Sequence, residues 1–296
     1  MCCSINEMSL TIVGKSIWNN HGNRGRRVRK MLAAIRWQLR KRLLHKPYEL
    51  RLHNGQKFMA YPNCVVSSAL IYADWPEYHE VKFIRQQLRS SDIVIDVGAY
   101  VGHVSLLLAD LVGNQNLYAF EPTPVTFQRL RENWLANGWS TENLFQAAVG
   151  AQSGQAYLNE HTASSTMNSV MDVISANQSV AVELVSLDDY QPLWANRSIG
   201  FLKIDVEGRE LDVLKGSQKI LQRNRPRLIM FESLYHQLDL GIQALLSAYR
   251  YTVFQLTVTG EPDFSQHTAQ NLFAVPDEFV ERVAGRVGVA QTCAKY

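Results

Sequence analysis

The sequence predicts an α/β protein whose parallel sheet is covered by helices on both faces, and three observations predict it. From about Asp92 onward, short apolar runs rich in branched residues alternate with segments of helical period. The runs are almost continuously apolar, as strands buried on both faces must be. The first run opens directly into a glycine-containing turn, Asp96-Val97-Gly98-Ala99-Tyr100-Val101-Gly102, from which a helix starts.

The strands read from these runs are Ile93–Asp96, Leu117–Phe120, Leu144–Val149, Phe201–Asp205, Leu228–Glu232, Thr252–Leu256 and Asn271–Val275. Among the helices between them, one is capped by Thr123, carries Pro124 in its first turn and buries Phe127, Leu130 and Trp134. It stops near Asn137-Gly138. Another sets Leu211, Leu214 and Leu221 on one face and ends before Pro226. These elements form a domain over residues 92–277, followed by a tail, 278–296.

Two segments interrupt the alternation. Residues 47–91 read as a lead-in: a hairpin from Tyr48 to Met59 turning at Asn54-Gly55, then a helix with Val81, Ile84 and Leu88 on one face. Residues 155–190 read as a polar insertion containing His161 and a Ser/Thr-rich stretch, placed where it can overlie the carboxyl ends of the strands. Neither segment carries a code that names a substrate.

Composition narrows the class. With 46% hydrophobic and 19% charged residues the chain is ordinary globular protein, and no apolar run is long enough to span a bilayer. Four cysteines without metal-ligand spacing suit a reducing compartment, so a cytoplasmic protein is expected. The opening residues lack a signal-peptide layout, and Cys at position 2 excludes N-myristoylation. Residues 1–46 hold eleven Lys or Arg against one acid, leaving the remainder with 19 basic and 26 acidic residues. Between Arg24 and Lys46, Leu32, Ile35, Leu39 and Leu43 share a helical face amid Arg36, Arg40, Lys41 and Arg42. This basic amphipathic extension has three readings: peripheral contact with an anionic membrane, contact with nucleic acid, or a solvated tail packed on the acidic body. Nucleic acid as the substrate is disfavoured by the acidic remainder and the absence of an aromatic–basic ribbon.

The chemistry concentrates at the strand ends. Gly98 and Gly102 are spaced G-x-x-x-G, short of the dinucleotide fingerprint, which weakens an NAD or FAD reading. Glu121 ends the second strand, where an acid can grip both hydroxyls of a ribose. Together they indicate a nucleoside-containing ligand without a pyrophosphate, a description that fits S-adenosylmethionine. Asp205 and Glu207 end the fourth strand and Glu232 the fifth, so Asp205 and Glu232 can converge as substrate ligands, as a base, or as a cation pair. Glu207 has the alternative role of capping the next helix. His236, four residues past Glu232, is the second candidate base, and His103 opens the first helix beside the glycine turn.

From Asp92 to Ser233 the chain resembles the FkbM-type family of S-adenosylmethionine-dependent methyltransferases. The segments that carry the resemblance are Asp96–Gly102 (DVGAYVG), Ala119–Pro122 (AFEP), Ser186–Tyr190 (SLDDY) and Phe201–Gly216 (FLKIDVEGRELDVLKG). The resemblance implies a Rossmann-like, class I methyltransferase fold with seven strands, the last antiparallel. It also implies methyl transfer to a hydroxyl on a sugar, glycolipid or natural-product-like molecule. Asp96, Gly98, Tyr100, Gly102, His103, Glu121, Pro122, Val149 and Asp205 are the expected cofactor contacts, and Asp205, Glu232 and His236 the expected catalytic groups. Such members usually have Asn where Tyr100 stands. A divalent cation is not favoured, because two carboxylates are too few to demand one. The readings kept beside this are a non-catalytic binding module with the same fold and an RNA methyltransferase that uses the basic segment.

Overall fold

The structure, a computed structural model, describes residues 10–159, 170–171, 179–194 and 197–285. His161 and the Ser/Thr-rich stretch after it lie outside the described residues. The chain begins with α1 (Leu10–Asn19) and α2 (Arg27–Leu43), the strands β1 (Tyr48–Arg51) and β2 (Lys57–Ala60), then α3 (Val65–Tyr72) and α4 (Tyr78–Gln87). The alternating part runs β3 (Ile93–Val97), α5 (His103–Val112), β4 (Leu117–Phe120), α6 (Pro124–Ala136), β5 (Leu144–Phe145) and β6 (Ala147–Val149). Then come β7 (Gly154–Asn159), β8 (Val170–Met171), β9 (Ser179–Val185), α7 (Leu187–Tyr190), β10 (Ile199–Ile204) and α8 (Glu210–Lys215). The chain continues through β11 (Ile229–Glu232), α9 (Leu240–Ala248), β12 (Tyr251–Leu256), β13 (Pro262–Asp263), β14 (Asn271–Pro276) and α10 (Val280–Gly285).

The main sheet has the order β13-β12-β14-β11-β10-β3-β4-β5. β3, β4, β5, β10 and β11 are parallel, while β14 runs antiparallel to both neighbours. The seven expected strands are all present, the last antiparallel, and β13 adds a two-residue edge. Strand period sorts the core into two layers: Val94 faces the N-terminal helices with α5 and α6, whereas Ile93 and Ile95 face α8 and α9. The order reverses between β3 and β10, so a crevice opens at their carboxyl ends.

Three expected elements differ in detail. The run Leu144–Val149 forms two strands, because β4 ends at Phe120, paired with Phe145, and leaves no edge for the residues that follow. These residues instead pair in parallel with the longer β9, in a second sheet ordered β6-β9-β7-β8. The helix expected over Leu211–Leu221 breaks after Lys215. The Gly216 carbonyl accepts hydrogen bonds from the Asp188 amide and the Ser186 hydroxyl. The Asp188 carboxylate then caps the next turn by accepting from the Lys219 and Ile220 amides. Ser186–Tyr190 thus ties β9 to the segment after α8 and is structural.

The third difference is the basic segment. Val13, Ile17, Ala34 and Trp37 are buried in the same core as Val94 and Leu106. The Trp37 indole donates to the Ser68 hydroxyl at 3.0 Å. Residues 10–43 are therefore integral to the domain, packed on α3. Among the described residues no helix is long and apolar enough to cross a membrane.

Candidate active site

The turn after β3 is pressed against the end of β10. Gly98 has φ +72°, and a Cβ there would lie 1.8 Å from the Asp205 carbonyl oxygen, so no side chain fits. Gly102 has a different job: a Cβ on it would strike Leu130 and Trp134, so it lets α5 seat on α6 and does not line the cleft. Between them Tyr100 takes φ +54°, a left-handed conformation that Asn, the residue the resemblance leads one to expect there, adopts more readily. The Tyr100 amide donates to Glu121 Oε2 at 2.9 Å. Its phenolic oxygen is buried beside Cys64, and burial, with Cys64 alongside, pushes its pKa up.

Glu121 organises the β4 side. Its Oε1 accepts from the Thr123 amide at 2.9 Å and the Thr126 hydroxyl at 2.7 Å. Burial pushes its pKa up, against the pull of these hydrogen bonds. Oε2 retains acceptor capacity beyond the Tyr100 amide. Pro122 follows it on the wall, and Ala147, Ala148 and Val149 supply a small apolar surface.

The β10 side is built around a buried lysine. Lys203 is 3% exposed, and its Nζ lies 3.0 Å from Asp205 Oδ2 and 3.5 Å from Asp96 Oδ1. It also donates to the Gly98 carbonyl at 3.2 Å. Burial opposes its charge, but the two carboxylates prevail and raise its pKa. Asp96, fixed further by the Ser105 hydroxyl at 2.8 Å, sits behind the wall as a support and does not line the cleft.

Beyond Asp205 the cleft is acidic. Asp205, Glu207 and Glu232 bring carboxylate oxygens within 4.8 Å of one another, and Glu77 at the start of α4 faces them. Glu207 is pushed up to about 7 by burial and by its neighbours Glu232 and Asp205. Glu77 is solvent-exposed on the cleft lining; crowding by the surrounding protein and then Glu80 push it up to about 7 as well. Glu232, held by Gln270 at 3.1 Å, is raised by burial. His103 is lowered to about 4 by burial and by the Lys203 charge, so its imidazole is neutral at physiological pH. Three convergent carboxylates are oxygen donors of the kind a hard cation takes.

Of the expected residues, Gly98, Tyr100, His103, Glu121, Pro122, Val149, Asp205 and Glu232 line one cleft of about 530 Å³. His236 does not: it stands exposed on the turn Leu234–His236, outside the cleft lining. The sequence reading missed Lys203, Glu77 and Gln270, and for Glu207 it kept helix capping as an alternative. In fact Glu210, not Glu207, accepts the Val206 and Gly208 amides. Lys203 had a signal: it is the lone charge within an apolar strand and shares a face with Asp205 two residues later.

Residues 96–253, more than half the chain, match the Methyltransferase FkbM domain. A hexuronic acid methyltransferase from Haloferax volcanii is 27% identical over 146 residues, 49% of this chain and 58% of that protein. A 31-O-demethyl-FK506 methyltransferase from Streptomyces tacrolimicus is 27% identical over 199 residues, 56% of this chain and 75% of that protein. The chain thus spans little more than half the length of the first of these relatives. A crystal structure of an FkbM methyltransferase from Methylobacillus flagellatus superimposes with a TM-score of 0.43 at 15% identity, covering 86% of this chain and 60% of that one.

Proposed function

This chain belongs to the FkbM methyltransferase family, and on that premise we propose that it moves a methyl group from S-adenosylmethionine to a hydroxyl oxygen. The acceptor class we infer is a sugar, a glycolipid or a natural-product-like small molecule. The observation that carries this reading is one cleft with Glu121 on one side of the glycine turn and Asp205, Glu207 and Glu232 on the other.

The residues fit such a cofactor. Gly98 lets the turn close on the end of β10 so that both border one cleft, Glu121 retains an acceptor site for a ribose hydroxyl, and Ala147–Val149 offer a small apolar wall for a base. A volume of about 530 Å³ lies within the range of small-molecule sites. When bound, S-adenosylmethionine supplies an already activated methyl on a positive sulfur. The chain's task is then to align an oxygen, take its proton and keep the crevice dry. Asp205 is the first candidate to receive that proton. Glu207, poised at about 7 beside it, replaces His236 as the second, because a base works best near the operating pH.

The names of two relatives specify a hexuronic acid and 31-O-demethyl-FK506, which supports an oxygen acceptor. The acceptor side here has four carboxylates against Lys203 and Arg209, so a neutral polyhydroxyl acceptor is favoured over one that bears its own carboxylate. The test is incubation with methyl-labelled S-adenosylmethionine and fractionated glycan, lipid and small-molecule extracts, with Asp205→Asn alongside. Label should enter a neutral fraction with the unmutated protein only. Failure to label any fraction, together with no calorimetric binding of S-adenosylhomocysteine, would overturn the reading.

A further inference from the structure

The apolar face of α2 that the sequence singles out is not the face by which the helix packs. Ala34 and Trp37 are buried against α3, whereas Val28, Leu32, Ile35, Leu39 and Leu43 are 70, 51, 46, 55 and 74% exposed. At helical spacing these five fall within an arc of about 80°, opposite Ala34 and Trp37. Contiguous aliphatic surface of this kind marks a contact site.

Its surroundings say which contact. Residues 24–46 hold ten Lys or Arg and no acid. Some of these charges are used inward: Arg26 and Lys30 pair with Asp74, Arg27 lies over Trp18 and Arg40 over Tyr48. Arg29, Arg36, Arg42 and Lys46 remain exposed and form no ion pair among the described residues.

We propose that this outer face of α2 lies on an anionic lipid bilayer. Val28, Leu32, Ile35, Leu39 and Leu43 would enter the acyl boundary, with the flanking Arg and Lys at headgroup phosphates. Nucleic acid would satisfy the cations but give five aliphatic side chains nothing to bury against. A second copy would bring two uniformly basic helices together. A bilayer with anionic headgroups matches both features at once. The site is adjacent to the cleft: α3 carries α2 on one side and contributes Val65 and Val66 to the cleft wall on the other. The inference is independent of the methyl-transfer reading.

The test is co-sedimentation of the full chain with vesicles of phosphatidylcholine alone or enriched in phosphatidylglycerol, at low and high salt. The unmutated protein should sediment with the anionic vesicles and be released by salt. Leu32→Ser with Leu39→Ser should lower partitioning by about tenfold or more, and so should Arg36→Glu with Arg42→Glu. Both pairs are on the surface and should melt like the unmutated protein. The proposal is overturned if the unmutated protein stays in the supernatant, or if either well-folded double variant sediments equally. It is also overturned if the leucine variant instead splits a dimer seen by light scattering. Retention of duplex RNA or DNA that depends on the arginines and not on the leucines would overturn it too.

Discussion

Lys203 places its ammonium 3.0 Å from the Asp205 carboxylate while reaching Asp96 at 3.5 Å behind it, so one buried cation ties the reactive wall to its support. Lys203→Met should therefore leave Asp96 as a buried, uncompensated charge. The expected loss of stability is about 3–5 kcal/mol, read by urea denaturation. The folded-state pKa of Lys203 is raised, so its stabilisation is complete below the ordinary lysine range and fades only above it. The lysine's own titration thus adds no slope to the gap between the two proteins from about pH 6 to 9. Adding Asp96→Asn to Lys203→Met should recover part of the loss, since it removes the stranded charge.

Glu121 has two duties that substitutions can separate. It braces the Tyr100 and Thr123 amides and the Thr126 hydroxyl, and it is the proposed ribose acceptor. Glu121→Ala should weaken S-adenosylhomocysteine binding by about 1.5–3 kcal/mol, the usual scale for hydrogen bonds to a charged group, and should also lower the melting temperature. Glu121→Gln keeps the shape and one acceptor, so the melting temperature should recover more than the affinity. Calorimetry that finds full affinity in a folded Glu121→Ala protein would reject the ribose role.

The chelator experiment bears on the three converging carboxylates. If Asp205 acts as the base with Glu207 and Glu232 as electrostatic neighbours, chelator should leave turnover unchanged, and Asp205→Asn should lower it by about 10²–10⁴-fold. If Asp205, Glu207 and Glu232 hold a divalent cation, chelator should abolish turnover and added Mg²⁺ should restore it. Near-normal turnover in Asp205→Asn would move the base to Glu207.

The sheet was legible because its central strands are mostly apolar runs, and the glycine turn because only glycine fits at position 98 against Asp205. The division of Leu144–Val149 was not legible, since it depends on the distant β9 providing the edge that β4 lacks. Nor does periodicity decide which of two apolar faces of α2 is packed. That is settled by the Ser68 hydroxyl on α3, which receives the Trp37 indole. Glu77 was invisible for the same reason: only the fold carries α4 across the sheet to face Asp205.

The pH dependence follows chiefly from Glu207, pushed up to about 7 by burial and then by Glu232 and Asp205, with the more exposed Glu77 raised in the same direction beside it. A carboxyl with a raised folded-state pKa binds its proton more tightly when folded. Stability is therefore lost as pH rises from the ordinary carboxyl range through about 7. Ligand affinity should respond in the opposite sense when the ligand is cationic. Above pH 7 the two groups add negative charge to a cleft that already holds Asp205 and Glu232, with Lys203 as the buried counter-charge. S-adenosylmethionine carries a positive sulfur that S-adenosylhomocysteine lacks. The ratio of their affinities should therefore shift toward S-adenosylmethionine by about two- to tenfold between pH 6 and 8, a Coulombic effect discounted for the open, solvent-screened cleft. Glu207→Gln should flatten that slope and leave S-adenosylhomocysteine affinity nearly unchanged. Parallel pH titrations by calorimetry read both quantities without any acceptor. An affinity ratio that stays constant across this range in the unmutated protein would show that the acid cluster does not face the sulfur of the cofactor.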